Sequence, residues 1–412
     1  MNTTLKGKYF VTGRSLPHTM SPDIYTRLGL NYGVKEFPTE DDFRAWVKEQ
    51  DYDGFNVTIP YKETVMPCLD YISDEAREIG AVNTVVNRGG KLYGYNTDCY
   101  GMARAIKENG IDLANKVVAI LGSGGTAKCA QYVCKKAGAK DIKIVSRSGE
   151  YNYQSLYQDD SIDVIINTTP VGMFPNITAR PIELEELKSI KAVYDVIYNP
   201  LTTSLVAHAR QKGMKSANGL SMLIYQGIKA YEHYTDTEVE DKVAQNVLNS
   251  IYSEKENLVL IGMPGCGKST YGRHLAKALG KEFYDSDKEF QKVYGVAPSE
   301  VITQKGEPTF RDMEAEIILS LSSKLGAVIA TGGGAVLREE NRARLKANGK
   351  VLFIDRDISI LPSKDRPLSK EHGVEALYKV REPIYRDMAD ITIATDSTTI
   401  VDEAVKQIIE IL

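Results

Sequence analysis

Gly262-Met263-Pro264-Gly265-Cys266-Gly267-Lys268-Ser269 is a complete G-x-x-x-x-G-K-S, and its flanks decide the fold. The apolar run from Leu258 to Ile261 reads as a buried strand, and a helical pattern follows from Thr270 to Leu279. A strand that turns through glycines into a helix aims backbone N–H groups and the positive helix end at a triphosphate. In that arrangement Gly265, Cys266, Gly267 and Thr270 cradle phosphate, Lys268 reaches its outer oxygens, and Ser269 ligates magnesium. Three more junctions read as strand, glycine turn, then helix: Lys8 to Gly13, Val117 to Gly125, and Ala327 to Gly334. Short Val/Ile-rich runs alternate with amphipathic stretches over almost the whole length, the pattern of α/β domains built on mostly parallel sheets. Between Thr235 and Glu256 the chain is polar and helix-prone, and a fresh strand begins just before Gly262, which places a domain boundary near Ser253. The linker is a few residues without a Pro/Gly/Ser tract, so the two parts are expected to be held close.

The 412 residues exceed one hydrophobic core at about 100–200 residues per domain, so several domains are expected. With 42% hydrophobic and 26% charged residues the chain is expected to fold throughout. Lys plus Arg number 51 against 55 Asp plus Glu, a net charge of −4, which supplies no cationic surplus for nucleic acid or an anionic bilayer. Five scattered cysteines without zinc-ribbon spacing and five histidines without a ligand pattern point to a reduced protein lacking a structural metal. Met1 to Gly13 lacks the apolar core of a signal peptide and no later run suits a membrane helix, so a soluble cytoplasmic protein is expected.

The second glycine turn, Gly122-Ser123-Gly124-Gly125, is a G-x-G-G rather than the full dinucleotide fingerprint. The next strand, Ile142 to Val145, ends in Ser146-Arg147-Ser148, where an NAD-preferring fold usually puts an acidic residue on the ribose hydroxyls. A cation there suits a 2′-phosphate and favours NADP over NAD.

At this point the residues resemble known families over nearly the whole chain. Residues before about Ser253 resemble shikimate dehydrogenase through Asn56 to Lys62, Gly80 to Thr84, Gly94 to Asp98, Asn167 to Met173 and Asn218 to Leu223. Residues after it resemble shikimate kinase. The resemblance assigns Lys62 and Asp98 as an acid/base pair, and Thr19, Ser21, Thr58, Asn83, Tyr198 and Gln226 to the substrate. To NADP it assigns Gly122, Ser123, Gly124, Gly125, Ser146, Arg147, Thr168 and Gly219. The family's usual serine pair falls on Thr19 and Ser21, and Tyr25 stands where a His is common. On residue type alone, ketone reduction needs a proton for the developing alkoxide, and a Lys beside an Asp can supply it. The same residues also suit blander roles: Asn56 and Asn83 as turn caps, Lys62 as a solvated amine, Asp98 as a helix N-cap.

In the second half, Phe283-Tyr284-Asp285-Ser286-Asp287 follows the phosphate loop. Two Asp at alternate positions are expected to emerge on the same side of a strand end, where phosphoryl transfer needs a metal ligand and a carboxylate at the acceptor oxygen. Resemblance gives Asp285 to the magnesium shell and Asp287 to the acceptor hydroxyl. It gives Arg311 and Arg381 to the substrate carboxylate, Gly332, Gly333 and Gly334 to its surroundings, and Arg366 to a mobile lid over the transferring phosphate. Phe310, Glu314, Glu382, Pro383, Ile384 and Tyr385 complete the matching blocks.

The expected architecture is a two-domain dehydrogenase, residues 1–252, followed by a P-loop kinase with a parallel sheet, residues 253–412. Within the first part, 1–98 and 219–252 form an α/β substrate domain and 99–218 a Rossmann-like NADP domain. The implied cofactors are NADPH, ATP and Mg2+, and the implied partners are small molecules, 3-dehydroshikimate and shikimate. A quinate-accepting dehydrogenase using NAD, or a silent metabolite sensor, fits the same motifs less fully.

Overall fold

The computed structural model describes residues 5–16, 19–361 and 373–412. Contacts divide the chain into two compact units. One comprises Met1–Val171, Arg180–Tyr198 and Leu205–Tyr252, the other Gly172–Ala179, Asn199–Ser204 and Ser253–Leu412.

The first unit holds two sheets. Strands β1 (Leu5–Gly13), β2 (Leu30–Glu36), β3 (Gly54–Val57), β4 (Tyr71–Ile72), β5 (Thr84–Arg88) and β6 (Lys91–Tyr95) form a mixed sheet in the order β2-β1-β3-β5-β6-β4. The pairs β1–β2, β1–β3 and β4–β6 are parallel, whereas β3–β5 and β5–β6 are antiparallel. An aromatic cluster of Phe37, Phe43, Trp46, Tyr52, Phe55 and Tyr61 fills one face. The second sheet is wholly parallel, β7 (Val117–Leu121), β8 (Asp141–Val145), β9 (Val164–Asn167), β10 (Ala192–Asp195) and β11 (Lys215–Ala217), ordered β11-β10-β9-β7-β8. Strands β7, β9 and β10 are buried at every position, as expected for strands covered on both faces. Strand order reverses beside β7, the crevice where doubly wound sheets bind ligands, and the Gly122 turn lies there.

The other unit repeats that logic with β12 (Asn257–Ile261), β13 (Glu282–Asp285), β14 (Ala327–Ala330), β15 (Gly349–Arg356) and β16 (Ile391–Thr395), all parallel in the order β13-β14-β12-β15-β16. The phosphate loop follows the central strand β12 and leads into a helix at Lys268–Leu279. Gly267 caps that helix with φ 103°, a left-handed conformation that glycine adopts without strain.

Two of the four glycine junctions differ from the expected form. After β1 the helix begins only at Ser21 and does not follow Gly13 directly, and after β14 the Gly332–Gly334 turn enters a 3-10 turn at Ala335–Leu337. Asp285 ends β13, but Asp287 lies in the first turn of helix Ser286–Tyr294, so the two carboxylates do not share a strand face. Asp285 itself caps the helix, its Oδ1 accepting from the backbone N–H groups of Asp287 and Lys288 at 3.1 and 3.4 Å. Among the described residues, no helix is long and apolar enough to cross a membrane.

Candidate active sites

In the first unit, residues that follow strand ends converge on one cavity of about 310 Å3. Asn56 and Thr58 come from the end of β3, Asn83 from the start of β5, and Asp98 from the chain leaving β6. Ser15, Thr19, Ser21, Lys62, Tyr198 and Gln226 add to the polar lining, so all eight residues assigned to chemistry or substrate share it. The Lys62 Nζ donates to Asp98 Oδ2 at 2.7 Å, with the side chains 28% and 19% exposed. Burial alone would push the Lys62 ammonium down, but the charge and hydrogen bond of Asp98, with smaller contributions from Cys129 and Cys99, hold its pKa above the ordinary lysine value. Lys62 therefore rests as an ammonium. Asp98 opens helix Asp98–Glu108 with Thr97 as the cap, so its carboxylate is free to pair with Lys62 rather than to cap the helix.

Behind the cavity lies a network that local sequence patterns do not reveal. The hydroxyls of Tyr25, Tyr32 and Tyr234 all donate to Asn56 Oδ1, at 2.6, 2.6 and 3.0 Å. This fixes the amide so that Asn56 Nδ2 points to Asn83 O at 3.2 Å and Thr84 Oγ1 at 3.0 Å. Asn83 in turn accepts from Thr97 N at 2.8 Å and donates to Thr97 Oγ1 at 3.1 Å. Tyr25 is thus one of three phenols that orient the cavity wall. Asn56→Leu would strip all three of their acceptor and is expected to cost on the order of 3 kcal/mol or more, whereas Tyr25→Phe should cost about 1 kcal/mol. Thermal unfolding of the two variants checks the contrast, and equal losses would remove the phenol cluster from the account.

The dinucleotide side is arranged around Gly122, whose φ is 105° and whose hypothetical Cβ would lie 2.8 Å from Thr168 Oγ1. Thr168 Oγ1 donates to Leu121 O at 2.6 Å, tying the β7 and β9 ends together. Ser123, Gly124 and Gly125 are exposed where helix Gly125–Lys136 begins, and Ser146 and exposed Arg147 follow β8. Gly219 is buried, and a Cβ there would fall 1.9 Å from Val196 O, which is a packing demand.

In the second unit the ends of β12, β13 and β14 meet. Lys268 is 7% exposed and its Nζ donates to Gly262 O at 2.9 Å and Met263 O at 2.8 Å. Gly265 and buried Cys266 form the loop's turn, and Thr270 N returns to Gly267 O at 2.9 Å. Ser269 Oγ donates to Asp285 Oδ2 at 2.5 Å, a pair of hard oxygens suited to magnesium. Asp287 is open to solvent, yet the surrounding protein desolvates its carboxyl and Asp285 repels its charge, so its pKa is raised. A Cβ on Gly332 would lie 2.9 Å from Glu314 Oε1 and 3.0 Å from Asp287 Oδ1, and one on Gly334 would strike the Arg311 guanidinium. A Cβ on Gly333 would lie 2.6 Å from Pro264 Cδ, so the glycine run is packed between the phosphate loop and the Arg311 guanidinium.

Arg311 donates to Glu314 Oε2 at 2.7 Å and to Glu307 Oε1 at 3.1 and 2.7 Å. Burial would lower its pKa, but the Glu314 and Glu307 carboxylates raise it. Among the described residues Glu314 Oε1 is buried without a partner, and burial raises the Glu314 pKa against the pull of Arg311. Arg381 is 3% exposed, and its charge is felt by both Glu314 and Tyr385. Arg366 lies outside the described residues.

Two family models match. Residues 264–412 match "Shikimate kinase" and residues 11–85 match "Shikimate dehydrogenase substrate binding domain". Shikimate dehydrogenase (NADP(+)) of Caldicellulosiruptor bescii is 38% identical over 251 residues, which span 54% of this chain and 87% of that protein. The crystal structure of a chorismate mutase/shikimate 5-dehydrogenase fusion protein from Clostridium acetobutylicum is 32% identical with a TM-score of 0.57, covering 60% of this chain and 97% of the other. Shikimate 5-dehydrogenase of Thermus thermophilus, solved with NADP(H) and shikimate, is 29% identical with a TM-score of 0.53 over 59% of this chain and 98% of the other. Through its first unit this chain belongs to the shikimate dehydrogenase family, and through its second it carries a shikimate kinase domain.

Proposed function

We propose that this bifunctional shikimate-pathway enzyme reduces 3-dehydroshikimate to shikimate with NADPH in its first unit and phosphorylates the shikimate 3-hydroxyl with Mg-ATP in its second. The observation that carries the first half is the 2.7 Å Lys62–Asp98 pair in the wall of a cavity whose other polar groups suit a hydroxylated carboxylic acid. NADPH, when bound at the Gly122 turn, supplies the hydride. As the carbonyl carbon gains it, the Lys62 ammonium gives a proton to the carbonyl oxygen, and Asp98 steadies the lysine before and after that transfer. The Thr19 and Ser21 hydroxyls, 3.3 Å apart, offer donors to the substrate carboxylate, and Asn83, Thr58, Tyr198 and Gln226 read the ring oxygens. Arg147, exposed at the end of β8 with no carboxylate at the equivalent place, favours the 2′-phosphate of NADPH.

In the second unit the shared Ser269–Asp285 contact fits magnesium, which when bound offsets charge between phosphate oxygens. Asp287, its pKa raised, accepts the proton of the acceptor hydroxyl. Arg311 and Arg381 hold the substrate carboxylate, and the Gly332–Gly334 turn brings backbone N–H groups close.

Purified chain given 3-dehydroshikimate, NADPH and Mg-ATP should yield shikimate 3-phosphate by mass spectrometry, with omission of either cofactor stopping it at the corresponding step. Shikimate without its phosphate would remove the kinase half of the proposal, and no turnover by folded protein would replace both halves with a binding role.

A further inference from the structure

Cys99 and Cys129 belong to neither the substrate contacts nor the phosphate loops, yet their Sγ atoms lie 3.1 Å apart, about 1 Å beyond the ~2.05 Å of a disulfide. Cys99 follows Asp98 directly and is the second residue of helix Asp98–Glu108. Cys129 is just over a turn into helix Gly125–Lys136, which starts at the dinucleotide glycine turn. The pair therefore joins the helix that carries the Lys62 partner to the helix that begins at the NADP side. Both sulfurs are nearly inaccessible in the packed chain, 5% and 2% exposed by residue. Cys99 nevertheless lines a second cavity, about 960 Å3, whose wall includes Ile106, Leu113, Tyr132 and Val133. Asp98 lines the substrate cavity and Cys99 the larger one, so consecutive residues at the same helix start border different cavities.

We propose that Cys99 and Cys129 are a modification site: a reversible disulfide forms between them when an oxidant of the peroxide class reaches Cys99 through the large cavity, and it slows the reductase. The Cys99 sulfur attacks one peroxide oxygen, the O–O bond breaks, and one water leaves as Cys99 becomes a sulfenic acid. The Cys129 sulfur then attacks the Cys99 sulfur, the hydroxide leaves with the Cys129 proton as a second water, and the S–S bond forms. Two thiols lose two electrons and one peroxide becomes two waters. The hydrogen bond with Cys99 and burial keep the Cys129 thiol protonated, which slows its attack, so its proton must pass to the departing hydroxide as the S–S bond forms and the 3.1 Å approach is what favours the step. Drawing the sulfurs together by about 1 Å ties the start of the Asp98 helix to the nucleotide helix, and displacements of that size at a positioned pair cost on the order of tenfold to a hundredfold in rate.

The full chain is exposed to hydrogen peroxide, alkylated, digested without reductant and mapped by mass spectrometry, with NADPH-dependent reduction assayed alongside. The expected result is a Cys99–Cys129 cross-linked peptide lighter by two hydrogens, a tenfold or greater fall in reduction, and recovery of both by dithiothreitol. Cys99→Ser and Cys129→Ala should keep their activity through the same treatment. Full alkylation of both cysteines after a dose that oxidises the more exposed Cys68 would overturn the proposal. So would a cross-link that leaves reduction unchanged, or equal loss of activity in Cys129→Ala. The activity arm rests on the reductase reading, whereas the peptide map does not, so failure of one is told from failure of the other.

Discussion

Lys62→Ala is expected to lower kcat/KM for reduction of the ketone by about 10²–10⁴-fold, the range for removing a positioned general acid, and to leave phosphorylation untouched. Two effects act together. The variant loses the ammonium that gives its proton to the carbonyl oxygen, and it leaves the Asp98 carboxylate facing the cavity without its 2.7 Å partner. A substrate carrying its own carboxylate then meets an uncompensated negative charge, so KM should rise along with the fall in kcat. Lys62→Arg separates the two, because guanidinium restores the charge but does not release a proton. It should recover binding and not rate. The sign of the pH dependence follows from the pairing, which raises the Lys62 pKa. Its contribution to stability is complete below the ordinary lysine value of about 10.4 and is lost only as pH climbs through the raised value. Reduction should likewise show no loss assignable to Lys62 deprotonation across neutral pH. Steady-state NADPH consumption and a kinase assay on the same preparations measure all of this. A Lys62→Ala enzyme within about tenfold of the parent would take the lysine out of the proton transfer.

Much of this arrangement was legible in the chain because glycine turns after apolar runs carry their geometry locally. The phosphate loop after β12 and the Gly122 turn after β7 lie where apolar strand, glycine and helix pattern indicate. Local rules run out where backbone geometry shifts by a residue or partners come from far apart. Asp287 looks like a strand-end residue until Asp285 caps the next helix and moves it into the first turn. Gly219 also carries a packing demand, the approach of Val196 O, that its sequence neighbours do not show. The phenols of Tyr25, Tyr32 and Tyr234 meet at Asn56 from two helices and a strand, and no periodicity links those positions. Cys99 and Cys129 look scattered, and only the packing of two helices brings their sulfurs together.

Lys268→Ala should reverse the pattern of Lys62→Ala, with phosphorylation lost by about 10²-fold or more and reduction retained, because a preorganised cation at transferring phosphate is among the largest single electrostatic contributions. The lysine also has structural work, since its Nζ spans the carbonyls of Gly262 and Met263 at 2.9 and 2.8 Å from a nearly buried position. Alanine leaves those two acceptors short of a donor in the turn that shapes the phosphate cradle, at a cost of about 1–3 kcal/mol to that unit. Lys268→Met keeps most of the side-chain volume while removing the charge, so it distinguishes loss of the cation from collapse of the packing around Cys266 and Tyr271. If the charge carries the rate, Met and Ala lose phosphorylation alike even where Met melts at the higher temperature. If the loop's shape carries it, Met recovers a substantial part of the rate and the electrostatic role of Lys268 fails. Retained reduction in both variants would show that the Lys62–Asp98 site works without the phosphate loop's cation, whereas loss of reduction in a folded Lys268→Met chain would couple the two activities.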